Sequence, residues 1–182
     1  MAEIDSPHVV KLLDSTKTAS NYYLALEYCN GGDLQNYMLA RGKHLVEEEA
    51  RLIFRQIISG MAAIKAKDVI HRDLKLPNIL CHFTDLQDKE TLNVYLKKFD
   101  FKEKHASLVV KIADLGFSRK LQENEVAVTG CGTPLMMAPE IYLAKGYGHK
   151  ADVWSLGCIF YELLIGKVPF PAKTVPDLIR QL

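Results

Sequence analysis

Val69-Ile70-His71-Arg72-Asp73-Leu74-Lys75-Leu76-Pro77-Asn78-Ile79-Leu80 is the stretch on which the reading of this chain turns. Apolar pairs flank a polar loop that carries a carboxylate, an amine and a carboxamide at positions i, i+2 and i+5. Alone, Asp-x-Lys reads as a solvated loop and Asn as a turn former. A second segment argues against that. Val109-Val110-Lys111-Ile112-Ala113 has the make-up of a strand and runs into Asp114-Leu115-Gly116, which sets a second carboxylate at a strand end. Farther on, Gly132-Thr133-Pro134 is followed by Ala138-Pro139-Glu140.

Bulk properties bound the problem. A chain of 182 residues has the length of one domain, and 48% hydrophobic with 25% charged residues is ordinary for a globular protein. A formal net charge of +1 makes no electrostatic case for nucleic acid or an anionic membrane surface. Cys29, Cys81, Cys131 and Cys158 lie far apart, without zinc-ligand spacing, and read as reduced thiols. The longest apolar run, Val153 to Gly166, contains Glu162 and is too short to span a bilayer. The first seven residues lack the basic and apolar regions of a signal peptide. A cytoplasmic location is the expectation.

Outward from the opening stretch, the pattern predicts mixed elements. Met1 to Ser6 reads as the end of a helix stopped before Pro7. Val9–Leu13 and Tyr22–Tyr28 read as two strands joined by a polar turn over 14–21. Gly31-Gly32 leads into a helix that Asp33 is placed to cap. From Glu47 to Lys67, Ala50, Ile53, Phe54, Ile57, Ile58, Met61 and Ile64 recur at spacings of three and four, the stripe of an amphipathic helix. Its three leading glutamates and its trailing Lys65 and Lys67 suit the helix dipole. Residues 84–107 hold ten charges of balanced sign and read as a solvated insertion, with Tyr95, Phe99 and Phe101 as a rival partner-docking set. Gly148 to Gly166 reads as a helix apolar around most of its circumference, hence buried. Pro169, Pro171 and Pro176 break the chain before a short last helix.

The loop around Asp73, the strand-end Asp114-Leu-Gly and Ala138-Pro-Glu140 stand in the order of the H-R-D-L-x-x-x-N, D-F-G and A-P-E elements of protein kinases. On these motifs the chain resembles a eukaryotic protein kinase of the serine/threonine type. Glu27-Tyr-Cys-Asn-Gly-Gly-Asp-Leu34, Lys111-Ile-Ala-Asp-Leu-Gly-Phe-Ser-Arg119 and Cys131-Gly-Thr-Pro134 are most similar to the Unc-51-like, autophagy-initiating kinases. The implied fold is α+β and kinase-like. Residues 1–28 would end a small lobe, 29–33 form a hinge, and 34–182 a helical large lobe bearing the 84–107 insertion. No Gly-rich loop or strand lysine precedes the hinge, and the helices that finish the large lobe would follow Leu182. The chain therefore reads as part of a kinase domain. The same resemblance predicts that Glu140 is left as a buried, unpaired carboxylate.

Site roles follow from the same resemblance. Asp73 corresponds to the base that accepts the proton of the substrate hydroxyl, and Lys75 to the cation reaching the γ-phosphate. Asn78 and Asp114 correspond to the Mg²⁺ ligands, hard oxygens of the kind that ion takes. Glu27 and Cys29 stand where hinge backbone meets the adenine of ATP, Leu26 where a gatekeeper stands, and Asp33 and Leu80 border the same nucleotide site. Thr129 stands as an activation-segment phosphosite with Arg72 and Arg119 as its basic pair. Thr133 and Pro134 lie on the side of the protein substrate. Leu115 replaces the usual Phe after the metal-binding Asp, an apolar change expected to be tolerated. Two other functions compete: a pseudokinase or truncated scaffold without catalysis, and a small-molecule phosphotransferase that shares the acid and metal ligands.

Overall fold

The computed structural model describes residues 4–87, 91–120, 133–143 and 146–182. Its strands form three separate antiparallel pairs. β1 (Leu12–Lys17) pairs with β2 (Tyr22–Leu26), β3 (Val69–Ile70) with β6 (Arg119–Lys120), and β4 (Ile79–Phe83) with β5 (Leu108–Ile112). The helices are α1 (Leu34–Ala40), α2 (Glu47–Lys65), α3 (Leu92–Lys98), α4 (Phe101–Lys104), α5 (Pro139–Tyr142), α6 (His149–Ile165) and α7 (Val175–Gln181). The α+β expectation holds.

α2 is the axis of the core. Ala50, Ile53, Ile57, Met61 and Ile64 of the expected stripe are buried, while Ile58 at the stripe's edge is exposed. Burying each large member is worth about 1.5–3 kcal/mol, which fixes α2 against β5 and α6. Phe54 finds its cover by stacking on Phe160 of α6 at 4.6 Å. Gly60 brings α2 close to the chain start: a Cβ there would lie 2.4 Å from the His8 carbonyl oxygen.

The first hairpin sits later than the pattern suggested. Val9 and Val10 are buried, and the segment is sewn onto β5 instead. Val10 N–H donates to the Ile112 carbonyl at 2.8 Å, Ile112 N–H to the His8 carbonyl at 2.9 Å, and the His8 ring meets the Val110 carbonyl at 3.0 Å. The hairpin proper starts at Leu12, slips register before Asp14 and turns over Thr18–Asn21. Residues 4–6 are not helical.

The expectation of a solvated insertion holds for its described charged residues, which are exposed, and fails for its aromatics. Its described residues form α3 and α4, and Tyr95, Phe99 and Phe101 are buried at 3%, 3% and 6% exposure. Tyr95 and Phe99 lie four apart, so one helical face delivers both rings to Phe83 at the end of β4, 4.9 and 5.1 Å away. That places them in the core, so the rival docking role fails too. α6 departs from expectation as well. Asp152, Leu156, Ile159 and Leu163 are buried, but Val153, Tyr161 and Ile165 form an exposed apolar edge. Pro176 opens α7 rather than breaking the chain, with the Thr174 hydroxyl accepting the Asp177 N–H. Glu140, expected to be a buried carboxylate, is only half-buried in the first turn of α5.

Candidate active site

Three elements carry the site: the loop between β3 and β4, the end of β5, and the turn that opens at Thr133. The loop is held from beneath. Asp152, buried near the start of α6, accepts the backbone N–H of His71 at 2.9 Å and of Arg72 at 3.0 Å. Those bonds fix Arg72 at φ 72°, a left-handed conformation that costs a non-glycine residue about 1–3 kcal/mol.

His71 ties the same loop to β5. Its Nε2 lies 3.0 Å from the Ala113 carbonyl, and its Nδ1 accepts the Asp73 N–H at 3.4 Å. This is the pattern of a neutral ring protonated on Nε2. Burial lowers the His71 pKa and outweighs the Ala113 hydrogen bond and the charges of Asp152, Asp73 and Asp114. All three carboxylates thus lie within electrostatic reach of one imidazole.

Asp73 itself is 4% exposed. Its Oδ2 pairs with Lys75 Nζ at 2.8 Å and accepts Asn78 Nδ2 at 3.0 Å, while Oδ1 accepts the Thr133 hydroxyl at 2.8 Å. Lys75 also donates to Thr133 Oγ1 at 3.0 Å. Burial alone would raise the Asp73 pKa. Hydrogen bonds from Lys75, Thr133 and Asn78, with the Lys75 charge, outweigh burial and hold it below the ordinary carboxylate range. The structure therefore brings Asp73, Lys75, Asn78 and Thr133 into one hydrogen-bonded group. Pro134 is exposed, and its carbonyl accepts the Tyr142 hydroxyl.

Asp114 is placed beside that group but is not bonded into it. Ala113 N–H donates to the Asn78 carbonyl at 2.8 Å, which sets Asn78 and Asp114 on adjoining strand ends. Asp114 takes φ 56° and ψ 64°, tolerated because its short side chain accepts the Gly116 N–H at 3.2 Å. A Cβ on Gly116 would fall 2.9 Å from that oxygen, so a side chain there would push the carboxylate aside. The result is an exposed carboxylate one residue beyond the backbone bond to Asn78, whose carboxamide nitrogen is spent on Asp73. Two hard oxygens in that position fit Mg²⁺, which keeps most of its waters.

The 27–33 segment meets the same strands. Glu27 receives Lys111 at 2.9 Å, and Asp33 caps α1 by accepting the Asn36 N–H at 2.8 Å and bridges to Leu80. Among the described residues the Glu27 carbonyl and the Cys29 N–H enter no backbone hydrogen bond, which leaves one acceptor and one donor for an adenine edge. Burial, with the Glu27 charge, raises the Cys29 thiol pKa. Leu26 is exposed at the end of β2. Arg119 pairs through its backbone with Ile70, and Thr129 lies outside the described residues.

Sequence reasoning gave no role to His71 or Asn30. Asn30 clasps Phe83 from both sides, its Oδ1 accepting the Phe83 N–H at 2.7 Å and its Nδ2 donating to the Phe83 carbonyl at 2.9 Å. An Asn before two glycines reads only as a turn.

A protein kinase domain model matches residues 1–181, and the chain belongs to that family. Among its relatives, the serine/threonine-protein kinase ULK1 of Homo sapiens is 40% identical over 178 residues, covering 98% of this chain and 16% of that protein. The serine/threonine-protein kinase unc-51 of Caenorhabditis elegans is 38% identical over 178 residues, 98% of this chain and 19% of its own length. The serine/threonine-protein kinase ATG1c of Arabidopsis thaliana is 35% identical over all 182 residues, 22% of its length. The chain thus spans between 16% and 22% of these relatives.

Proposed function

We propose that this chain carries the catalytic residues of a serine/threonine protein kinase, transferring the γ-phosphate of ATP to a protein hydroxyl with Mg²⁺. The observation that carries this is Asp73: buried, held ionised, and aimed by three side chains at one place. Asp73 orients the acceptor hydroxyl and takes its proton, while Lys75 sets a positive charge beside the phosphate. Thr133, bonded to both, lines the side from which the peptide approaches. Asn78 and Asp114 would hold Mg²⁺, which offsets negative charge on the phosphate oxygens. Glu27 and Cys29 would meet the adenine through their backbone, with Leu26, Asp33 and Leu80 around it. Residues 1–28, 29–33 and 34–182 serve as the end of the small lobe, the hinge and the large lobe.

Regulation by phosphate on Thr129, paired with Arg72 and Arg119, is part of the same reading; phosphopeptide mapping of active protein that found Thr129 always unmodified would remove it. The resemblance to Unc-51-like kinases, and the ULK1, unc-51 and ATG1c relatives, support a place in autophagy-type signalling. The primary test is Asp73→Asn in the full-length protein, with phosphate transfer to a serine or threonine substrate as readout. Loss of a positioned base lowers kcat about 10²–10⁴-fold. Folded wild-type protein with no transfer above the variant's background would overturn the proposal.

A further inference from the structure

The described part of the insertion, residues 84–87 and 91–107, reaches the hinge directly through Leu92 and indirectly through Phe83. Phe83, at the root of the insertion, is clasped by Asn30, and a Cβ on Gly31 would lie 2.8 Å from the Phe83 ring. Beneath that ring sit Tyr95 and Phe99. Leu92, at the first turn of α3, reaches to 3.8 Å from where a Gly32 Cβ would stand. At the far end of α1, Arg41 donates to the Phe99 carbonyl at 3.3 Å and pairs with Glu49, which also accepts the Tyr37 hydroxyl. The insertion is itself fixed: Asp85 accepts Tyr95 and pairs with Lys104 at 3.1 Å, and the Lys104 ammonium lies 5.4 Å from the Tyr95 ring centre. A tether would show none of these contacts. Closest to the nucleotide edge, Gly31 N–H donates to the Cys81 carbonyl at 2.9 Å and Cys81 N–H to the Gly32 carbonyl at 2.8 Å.

We propose that the inserted helices are a positioning element for the hinge, with Leu92 and the Phe83–Tyr95–Phe99 cluster setting how tightly the adenine-facing backbone is held, and hence nucleotide affinity. This rests on the nucleotide-site reading above. Preorganised backbone raises affinity by removing an ordering cost at the moment of binding, without altering the chemical step.

The test compares full-length wild type with Leu92→Ala, Tyr95→Phe and the control Val94→Ala, an exposed position on the same helix. Tyr95→Phe removes one hydroxyl and keeps the ring, so it stays informative should Leu92→Ala fail to fold. The readouts are the Kd for ADP, KM for ATP against kcat, and amide exchange at Gly31 and Cys81. The Leu92 and Tyr95 variants are expected to raise ADP Kd and ATP KM about three- to tenfold with kcat within about twofold, and to speed exchange at both amides. Unchanged Kd in the folded variants, a fall in kcat with KM unmoved, or an equal effect of Val94→Ala would overturn the proposal. Wild type that binds no ADP defeats the kinase reading instead, while exchange at Gly31 still reports whether the insertion braces the hinge.

Discussion

At the scale of single residues, two buried titratable groups shift in opposite senses. Burial depresses the His71 pKa, so the fold favours the neutral ring. Its contribution to stability is present above the unfolded histidine value, about 6.5, and is lost as pH falls below it. Denaturant unfolding at pH 7.5 and 5.5 should show wild type losing more stability on acidification than His71→Asn; equal losses would refute this. Glu162 goes the other way. Among the described residues its buried Oε2 meets no hydrogen-bond partner, and burial raises its pKa. Its contribution is present below the unfolded value, about 4.3, and lost as pH rises through the folded one. Glu162→Gln should therefore be more stable than wild type at pH 7, with the gap closing near pH 4. A variant less stable at pH 7 would count against it.

At the scale of elements, Gly60 reverses a general rule. Within an exposed helix interior, Gly→Ala stabilises by about 1 kcal/mol. Here the added methyl would press on the His8 carbonyl at 2.4 Å and on Ile112 Cδ1 at 3.0 Å. Gly60→Ala should lower the midpoint of thermal unfolding, and a raised midpoint would show that α2 can retreat from the chain start. The elements also divide by how well the sequence announced them. α2 was legible because a stripe at spacings of three and four is strong over a helix of this length. The Asp73 loop and the Asp114 turn were legible because their spacing is dictated by chemistry. α3 was not, because Tyr95 and Phe99 stand among balanced charges, and only Phe83, a dozen residues earlier, explains why they face inward. The hairpin slipped because Val9 and Val10 pair with β5, a partner about a hundred residues away.

At the scale of the molecule, the described surface is uneven. Among the described residues no helix is long and apolar enough to cross a membrane. Yet Val153, Tyr161 and Ile165 expose one edge of α6, and Tyr22, Tyr23, Leu24 and Tyr28 stand open around the first hairpin. Exposed apolar side chains of this kind favour association. The 182 residues alone should sediment partly as oligomers, and Val153→Lys with Tyr161→Lys should raise the monomer fraction. An unchanged distribution would place the contact elsewhere.

The seam between residues 8–10 and β5 has a mechanical consequence. Three hydrogen bonds run from it to Val110 and Ile112, and two residues farther along stands Asp114. Force applied at residues 8–10 would therefore be carried through β5 toward the turn that holds Asp114. The next residue, Lys11, exchanges hydrogen bonds with Glu27 at 3.0 and 2.7 Å, so one short segment ties the turn at Asp114 to the start of the 27–33 segment and a displacement of either is felt by the other.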